Sequence, residues 1–198
     1  METTNKREKQ RHERRWQILQ CSLDMIISRG FEAMKIRDIA QRLNISTGLF
    51  FNYFESKEQV YEELVKIGLS GPAGVLELNR NEIAPIELFE KMADAILGAL
   101  KADAFNGKMF LLMAQVMQRD SVPEKVKRLL EGFDPVTPLI PVLQRGQTLG
   151  QIRPGNPVAL IMTYWGAVQG VAQNYAMDTR IPLPESSWIA DILRARKE

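Results

Sequence analysis

A run of aromatic and polar side chains, STGLFFNYFESKEQ at residues 46–59, is the part of the sequence best suited to recognition chemistry. Five of the six positions from Leu49 to Phe54 are aromatic or large and apolar. One helix face buries only about half of such a run, because residues three and four apart share a face and immediate neighbours do not. The others, with the Asn52 amide and the Lys57 ammonium, offer apolar contact, hydrogen bonds and charge, which bind a partner rather than break a bond.

The sequence lacks the pattern of a catalytic or metal site. Cys21 is the only cysteine and His12 the only histidine, which excludes an internal disulfide and leaves too few ligands for a Cys/His zinc site. No nucleophile pairs with a base, and no phosphate-binding loop stands out. We therefore expect no enzyme, cofactor or metal. An enzyme or small-molecule carrier built from the carboxy-terminal helices is the alternative class.

The elements that position the run are helices, because nearly every segment has the period of an amphipathic helix and none alternates like a strand. The first helix ends at Gly30, and a short second helix ends at Asn44, which adopts the left-handed conformation readily. Ser46 is a suitable N-cap for a third helix, and Ser56 with Gln59 suggests a capping box for a fourth. Three helices joined in this way predict a helix-turn-helix.

The outward side of the third helix is then the candidate site. If Phe50 and Phe54 face inward, then Leu49, Phe51 and Tyr53 lie on or near the outside. The second helix of a helix-turn-helix enters the DNA major groove, where apolar groups contact thymine methyls, amides read base edges and hydroxyls reach phosphate. The pattern therefore predicts binding to double-stranded DNA.

Here the sequence resembles the tetracycline-repressor (TetR/AcrR) family of bacterial regulators. The resemblance covers about residues 18–60, and "RDIA", "RLNIS" and "YFESKE" are its specific motifs. It implies an amino-terminal three-helix DNA-binding domain at 1–69, and we expect a connector at 70–84. A larger helical domain at 85–198 would then dimerise and bind a ligand. The family's DNA contacts, carried over position by position, fall on Arg37, Ser46, Thr47, Gly48, Leu49, Phe51, Asn52, Tyr53 and Lys57.

Two positions depart from the family pattern. Phe51 stands where the family usually has Tyr, so an apolar base contact is expected there in place of a phosphate contact. Lys35 stands where the family usually has a capping Thr, which adds a candidate phosphate contact and removes a cap normally worth about 1 kcal/mol. The basic arm NKREKQRHERR, residues 5–15, either follows a phosphate strand, enters the minor groove, or is a solvated helix start. His12 is expected to be an exposed bystander.

The carboxy-terminal helices suggest a ligand pocket. Met109, Met113 and Met117 follow one another at four-residue steps, and methionine fits irregular apolar space. Plain core packing explains the same pattern. Few charges fall on the inward stripes, so the expected effector is a small, largely hydrophobic molecule. The candidate ligand-binding residues are Phe89, Met92, Phe110, Met113, Met117, Tyr164, Trp165 and Gln169, with Tyr164 and Gln169 as polar groups.

A strip of small residues on a predicted helix at about 157–176 suggests a homodimer interface. A short terminal helix at 185–196 is expected beside it. A monomer that buries both helices internally is the alternative. The candidate interface residues are Thr163, Gly166, Ala167, Gly170, Asn174, Trp188 and Ile192.

The distribution of charge agrees with a DNA-binding front. Residues 1–54 carry ten Lys and Arg against six Asp and Glu, a formal +4, while the remainder is −2. The stretch 154–177 has no charged residue, but its Asn and Gln argue against a membrane span, so a cytoplasmic protein without a membrane partner is expected. The sequence thus favours an all-α repressor released from its operator by a ligand. A protein-binding relative that does not bind DNA is the alternative.

Overall fold

The computed structural model describes residues 2–76, 83–118 and 122–196, in which helices are joined by turns and a single isolated bridge. The predicted all-α class is confirmed. The helices are α1 (Glu2–Arg29), α2 (Ile36–Arg42), α3 (Thr47–Phe51), α4 (Lys57–Leu76), α5 (Pro85–Ala102), α6 (Ala104–Gln118), α7 (Glu124–Glu131), α8 (Ile140–Thr148), α9 (Pro157–Met177) and α10 (Ser186–Ala190), with a 3₁₀ turn at Thr137–Leu139.

By its internal contacts the chain divides into two compact units. The first unit combines residues 1–68 with 111–130, and the second combines 69–110 with 131–198. The first unit is built on α1, whose buried face carries Ile18, Leu23 and Ile26. Fully buried side chains of α2, the α3 region and α4 complete its core, among them Ile39, Phe50, Phe54, Val60 and Leu64. The core of the first unit therefore lies behind the aromatic and polar run at residues 46–59.

The local signals for the helix-turn-helix are confirmed. α1 stops before Gly30, whose φ is 82°, and α2 is followed by Asn44, whose φ is 51°. Both residues take the left-handed conformation that glycine and asparagine tolerate best. The capping box is half formed: Gln59 N–H donates to Ser56 Oγ at 3.2 Å, but the Gln59 side chain accepts from the Glu55 N–H and not from the Ser56 N–H.

The second unit is organised around α5, α8, α9 and α10, which share one apolar core. Pro85 opens α5, and α5 buries Phe89, Met92 and Ala93 completely. α9 contributes Ile161, Tyr164, Val168 and Ala172 to the same core. Pro138 lies in the 3₁₀ turn, and Pro141 lies in the first turn of α8.

Two segments differ from the sequence pattern. α4 continues through Gly71 to Leu76, so residues 70–76 of the predicted connector are helical despite the low helix propensity of glycine and proline. The domain boundaries proposed from sequence stay a prediction. The predicted terminal helix 185–196 is wrong in length. It ends at Ala190, because the chain then turns to pair Arg194 with Ile152, and Ala195 N–H donates to the Gln151 carbonyl at 3.0 Å.

Candidate nucleic-acid interface

The candidate interface is centred on α3, a helix of only five residues. A helix of this length has no stability of its own, so its position depends on the contacts behind it. Phe50 is fully buried and Phe54 is 1% exposed, and their ring centroids lie 5.9 Å apart. The two rings hold the inner side of α3 against the core of the first unit, as predicted.

The first turn of α3 is held by its cap. Ser46 is in the extended conformation, and its Oγ accepts a hydrogen bond from the Leu49 N–H at 3.0 Å. This bond satisfies one of the free donors at the helix start. The predicted cap is therefore confirmed. Ser46 itself is exposed, and its predicted DNA contact stays a prediction.

Arg15 holds the other end of α3, a role that the sequence does not reveal. Its guanidinium donates to the Tyr53 carbonyl at 2.7 Å, forms an ion pair with Glu63 of α4, and lies 4.2 Å from the centre of the Phe54 ring. A planar guanidinium suits this combination, because it donates in several directions and stacks on an aromatic face. Arg15 thus connects α1, α4 and the end of the candidate recognition helix.

The outward side of α3 carries side chains that the first unit does not bury. Thr47, Gly48 and Asn52 are exposed, and Phe51 is 53% exposed, an unusual position for a large apolar side chain. Leu49 and Tyr53 are half-buried. The structure therefore brings the sequence-predicted recognition residues together on one accessible surface.

Gly48 is not required by the packing of the chain. A Cβ built at this position would meet only Ser46 Oγ, at 3.8 Å, which is an ordinary van der Waals distance. Glycine in a helix costs about 0.5–1 kcal/mol relative to alanine. Packing within the chain therefore does not explain the glycine at position 48. We infer that a partner approaches this position closely from outside.

The predicted lysine and arginine contacts have different surroundings. Lys35 and Arg37 both lie at the start of α2, where Lys35 is exposed and makes no side-chain cap, as its type predicts. Lys57 begins α4, and its Nζ donates to the Phe31 and Glu32 carbonyls at 3.4 and 3.3 Å. Lys57 therefore ties α4 to the turn after α1, and its phosphate contact stays a prediction.

A concave surface lies between α1 and the outer side of α3, and the cavity that it forms has a volume of about 610 Å³. Basic side chains of α1 form one wall, and three of the sequence-predicted recognition residues form the other. The lining residues are Arg7, Gln10, Arg11, Glu13, Arg14, Gln17, Leu49, Asn52 and Tyr53.

The predicted ligand-binding residues do not all belong to one unit. Phe89, Met92 and Tyr164 are buried core residues of the second unit. The Tyr164 hydroxyl donates to the Phe89 carbonyl at 2.8 Å, and burial raises the pKa of this phenol far above its usual range. Phe110 and Trp165 are half-buried against this core, whereas Gln169 is exposed. Met113 and Met117 lie in the first unit, where Met117 is 51% exposed.

The predicted dimer residues lie on the open side of α9 and on the segment after it. Thr163, Gly166 and Asn174 are at the surface, and Ala167 and Gly170 are half-buried. Trp188 of α10 is 62% exposed, and Ile192 beyond it is half-buried. Neighbouring apolar side chains share this exposure, namely Val158, Met162, Met177 and Ile181.

Among residues 2–76, 83–118 and 122–196, no three His, Cys, Asp or Glu side chains are grouped so that they could hold a metal ion. None of the helices in those ranges is both long and apolar enough to cross a bilayer.

Comparison with known proteins finds relatives of the helix-turn-helix. Residues 18–64 match the family model of bacterial regulatory proteins of the tetR family. Over 53 residues the chain is 40% identical to the HTH-type transcriptional repressor KstR2 of Mycolicibacterium smegmatis, a match that covers 27% of this chain and 26% of that repressor. The chain thus matches about a quarter of the length of this relative.

Two longer similarities extend beyond the helix-turn-helix. An uncharacterized HTH-type transcriptional regulator of Bacillus subtilis, YfiR, is 21% identical over 164 residues, covering 81% of this chain and 79% of that protein. The crystal structure of the TetR family transcriptional regulator PfmR from Thermus thermophilus shares the fold over 91% of this chain and 99% of that one, with a TM-score of 0.68 and 20% identity. The family match thus contains α2, the turn and α3, and the solved structure shares the fold of the chain beyond them.

Proposed function

We propose that the protein is a transcriptional repressor that binds operator DNA as a homodimer and is released by a small, largely hydrophobic molecule. The observation that carries the proposal is the outward side of α3. There the exposed Phe51 ends α3 and is followed by Asn52 and Tyr53, and Phe50 and Phe54 fix the helix from behind. Apolar, amide and hydroxyl groups are those that contact thymine methyls, base edges and phosphates in the major groove.

The open side of α9 supports association with a second copy. Met162 is 55% exposed, and a Cβ built at Gly166 or Gly170 would meet nothing within 4 Å. Small residues beside exposed apolar ones allow another helix to approach closely and to bury apolar area. In a dimer, two α3 helices would contact half-sites about one DNA turn, roughly 34 Å, apart.

The core of the second unit supports a hydrophobic effector. The Tyr164 ring meets the Phe89 and Trp165 rings edge to face, with centroids 5.2 and 5.4 Å apart. The Tyr164 hydroxyl and the Trp165 indole N–H already donate to the Phe89 and Pro135 carbonyls. An effector that enters among these rings would therefore gain mainly apolar contact. Release from DNA requires a coupling of typically about 1–3 kcal/mol, and the coupling is reciprocal.

Binding to DNA is tested with the full chain and a duplex recovered by selection from a randomised library. Phe51→Ala and Asn52→Ala should weaken selective binding by about 5- to 150-fold, since a good base contact is worth about 1–3 kcal/mol. Leu149→Ala is the matched control, because Leu149 is also a large apolar residue, 58% exposed, but lies in the second unit. Fluorescence anisotropy titrations at two salt concentrations measure the DNA affinity of each variant and how that affinity depends on salt.

A DNA contact predicts that affinity falls steeply with salt, because phosphate neutralisation releases counterions. If selection recovers no duplex, or if binding is insensitive to salt and sequence, the regulator assignment is wrong. The exposed side chains of α3 would then belong to an interface with another protein.

The dimer is tested by Gly166→Leu, since Gly166 is exposed in the single chain and a Cβ built there meets nothing within 4 Å. Sedimentation should report a monomer with weakened operator binding. Gly98→Leu is the matched control, since Gly98 is also helical and open. A Gly166→Leu chain that remains a dimer of normal affinity would place the interface elsewhere.

The effector is tested by adding neutral and charged apolar compounds to the preformed operator complex. Neutral hydrophobic compounds should release the DNA, and the factor by which they weaken DNA binding should equal the factor by which DNA weakens theirs. Release by charged, polar compounds alone would contradict the proposed effector class while leaving DNA binding intact.

A further inference from the structure

Residues 6–13 of α1 are helical without contributing to the core. Residues 6–13 are all exposed, and from residue 6 onward the first buried residue of α1 is Ile18. Helices in water gain most of their stability from packing of an apolar face, which this segment lacks. Residues 5–15 contain six Lys and Arg against two Glu. The composition and the exposure together indicate an anionic partner.

The basic side chains of this segment are directed to a defined place. Arg7, Arg11 and Arg14 are spaced by four and three residues, so they share one face of α1. All three line the concave surface whose other wall is formed by Leu49, Asn52 and Tyr53. Lys9 does not line this surface. The arginines therefore adjoin the side of α3 that the proposed function places against DNA.

The dimensions select phosphates rather than the minor groove. From Arg7 to Arg14 the helix rises about 10 Å, which is the axial length of about three phosphates of one DNA strand. An α-helix is about 10–12 Å across, whereas the minor groove of B-DNA is about 6 Å wide. A helical arm thus fits beside the duplex and not in its minor groove.

We propose that Arg7, Arg11 and Arg14 contact the phosphate backbone next to the base pairs read by α3. The inference rests on the proposed function, because it assigns a second contact of the same DNA. Guanidinium groups bind phosphate with paired hydrogen bonds. Such contacts add affinity and fix orientation but do not read sequence.

Substitution of Glu13 should change DNA affinity in the opposite direction to substitution of the arginines. Its carboxylate lines the same surface and is exposed, so it repels a phosphate strand placed there. Glu13→Gln should therefore strengthen DNA binding, while substitutions of the arginines weaken it.

The test measures how log K varies with log salt concentration for a selected duplex and for a random-sequence duplex. Arg11→Gln, and the double variant with Arg7→Gln, should reduce the slope by about 0.9 for each phosphate contact removed in each protomer. The reduction should be equal on both duplexes. Lys9→Gln is the charge-matched control, since Lys9 lies on the same helical segment and does not line the surface. Thermal melting confirms that these exposed substitutions leave the fold intact.

Slopes reduced by the arginine variants and not by Lys9→Gln support the inference. Equal effects of Lys9→Gln would overturn it, because general charge would then explain the binding. Unchanged slopes in the arginine variants, with a wild-type chain that binds its duplex selectively, would overturn this inference and leave the proposed function standing. A wild-type chain that binds neither duplex would overturn both.

Discussion

Gly48→Ala should make the protein more stable and its binding to DNA weaker. The new methyl group meets only Ser46 Oγ at 3.8 Å, so no repacking is required within the chain. Replacement of a helical glycine by alanine contributes about 0.5–1 kcal/mol to the free energy of unfolding, and we take about 0.5 kcal/mol because Gly48 lies in the first turn of α3. For a chain of this size the melting temperature should rise by about 1–2 °C.

The same methyl group points toward the proposed partner. If DNA lies in van der Waals contact with Gly48, the added volume costs typically about 1–3 kcal/mol, which weakens each protomer's binding by about 5- to 150-fold. Circular dichroism melting measures the first effect, and fluorescence anisotropy with the selected duplex measures the second.

Gly98→Ala is the control that separates stability from binding. Gly98 is exposed in α5, and its built Cβ meets nothing within 4 Å. This variant should be stabilised by about 1 kcal/mol and bind DNA like the wild type. A Gly48→Ala chain that binds DNA normally would refute the close approach of DNA to Gly48. One that melts at a lower temperature would refute the conclusion that the fold has room for a Cβ at this position.

Three further predictions concern contacts within single units. Arg15→Lys keeps the charge but removes the combined interactions with Tyr53, Glu63 and the Phe54 ring. Melting temperature and DNA affinity should both fall while the salt slope of binding stays unchanged, whereas a reduced slope would show that Arg15 contacts phosphate. Ser46→Ala removes the cap of α3 and should lower the free energy of unfolding by about 1 kcal/mol in urea titrations, with Ser46→Thr retaining most of it. Tyr164→Phe deletes the hydroxyl that donates to the Phe89 carbonyl and should lower the free energy of unfolding by about 1 kcal/mol in urea titrations. An unchanged urea midpoint would show that this hydrogen bond does not stabilise the fold.

The helix-turn-helix could be predicted from sequence because its signals are local. Gly30, Asn44 and Ser46 each act on backbone groups within a few residues, so their types alone indicate where helices end and begin. The inward positions of Phe50 and Phe54 follow equally from helical period. The recognition surface then consists of the side chains of residues 46–59 that neither cap a helix nor face inward.

The contacts that could not be predicted join residues far apart in the chain. Arg15 lies 38 residues before Tyr53 and 48 before Glu63, and in the sequence it resembles the other arginines of the basic arm. The early end of α10 likewise depends on the pairing of Arg194 with Ile152. The pattern of methionines and aromatics did not separate ligand-binding from core positions, because both roles use the same apolar side chains at the same spacing.

The separation of inward and outward residues on α3 has a consequence for how such a protein diverges. Phe50 and Phe54 carry the packing of the helix, whereas Thr47, Gly48, Phe51 and Asn52 face outward and are exposed. Mutations at the outward positions therefore change few internal contacts, and surface substitutions of this kind usually alter stability by less than about 0.5 kcal/mol. After gene duplication, a copy could acquire a new target by changing these residues alone, with its scaffold already folded.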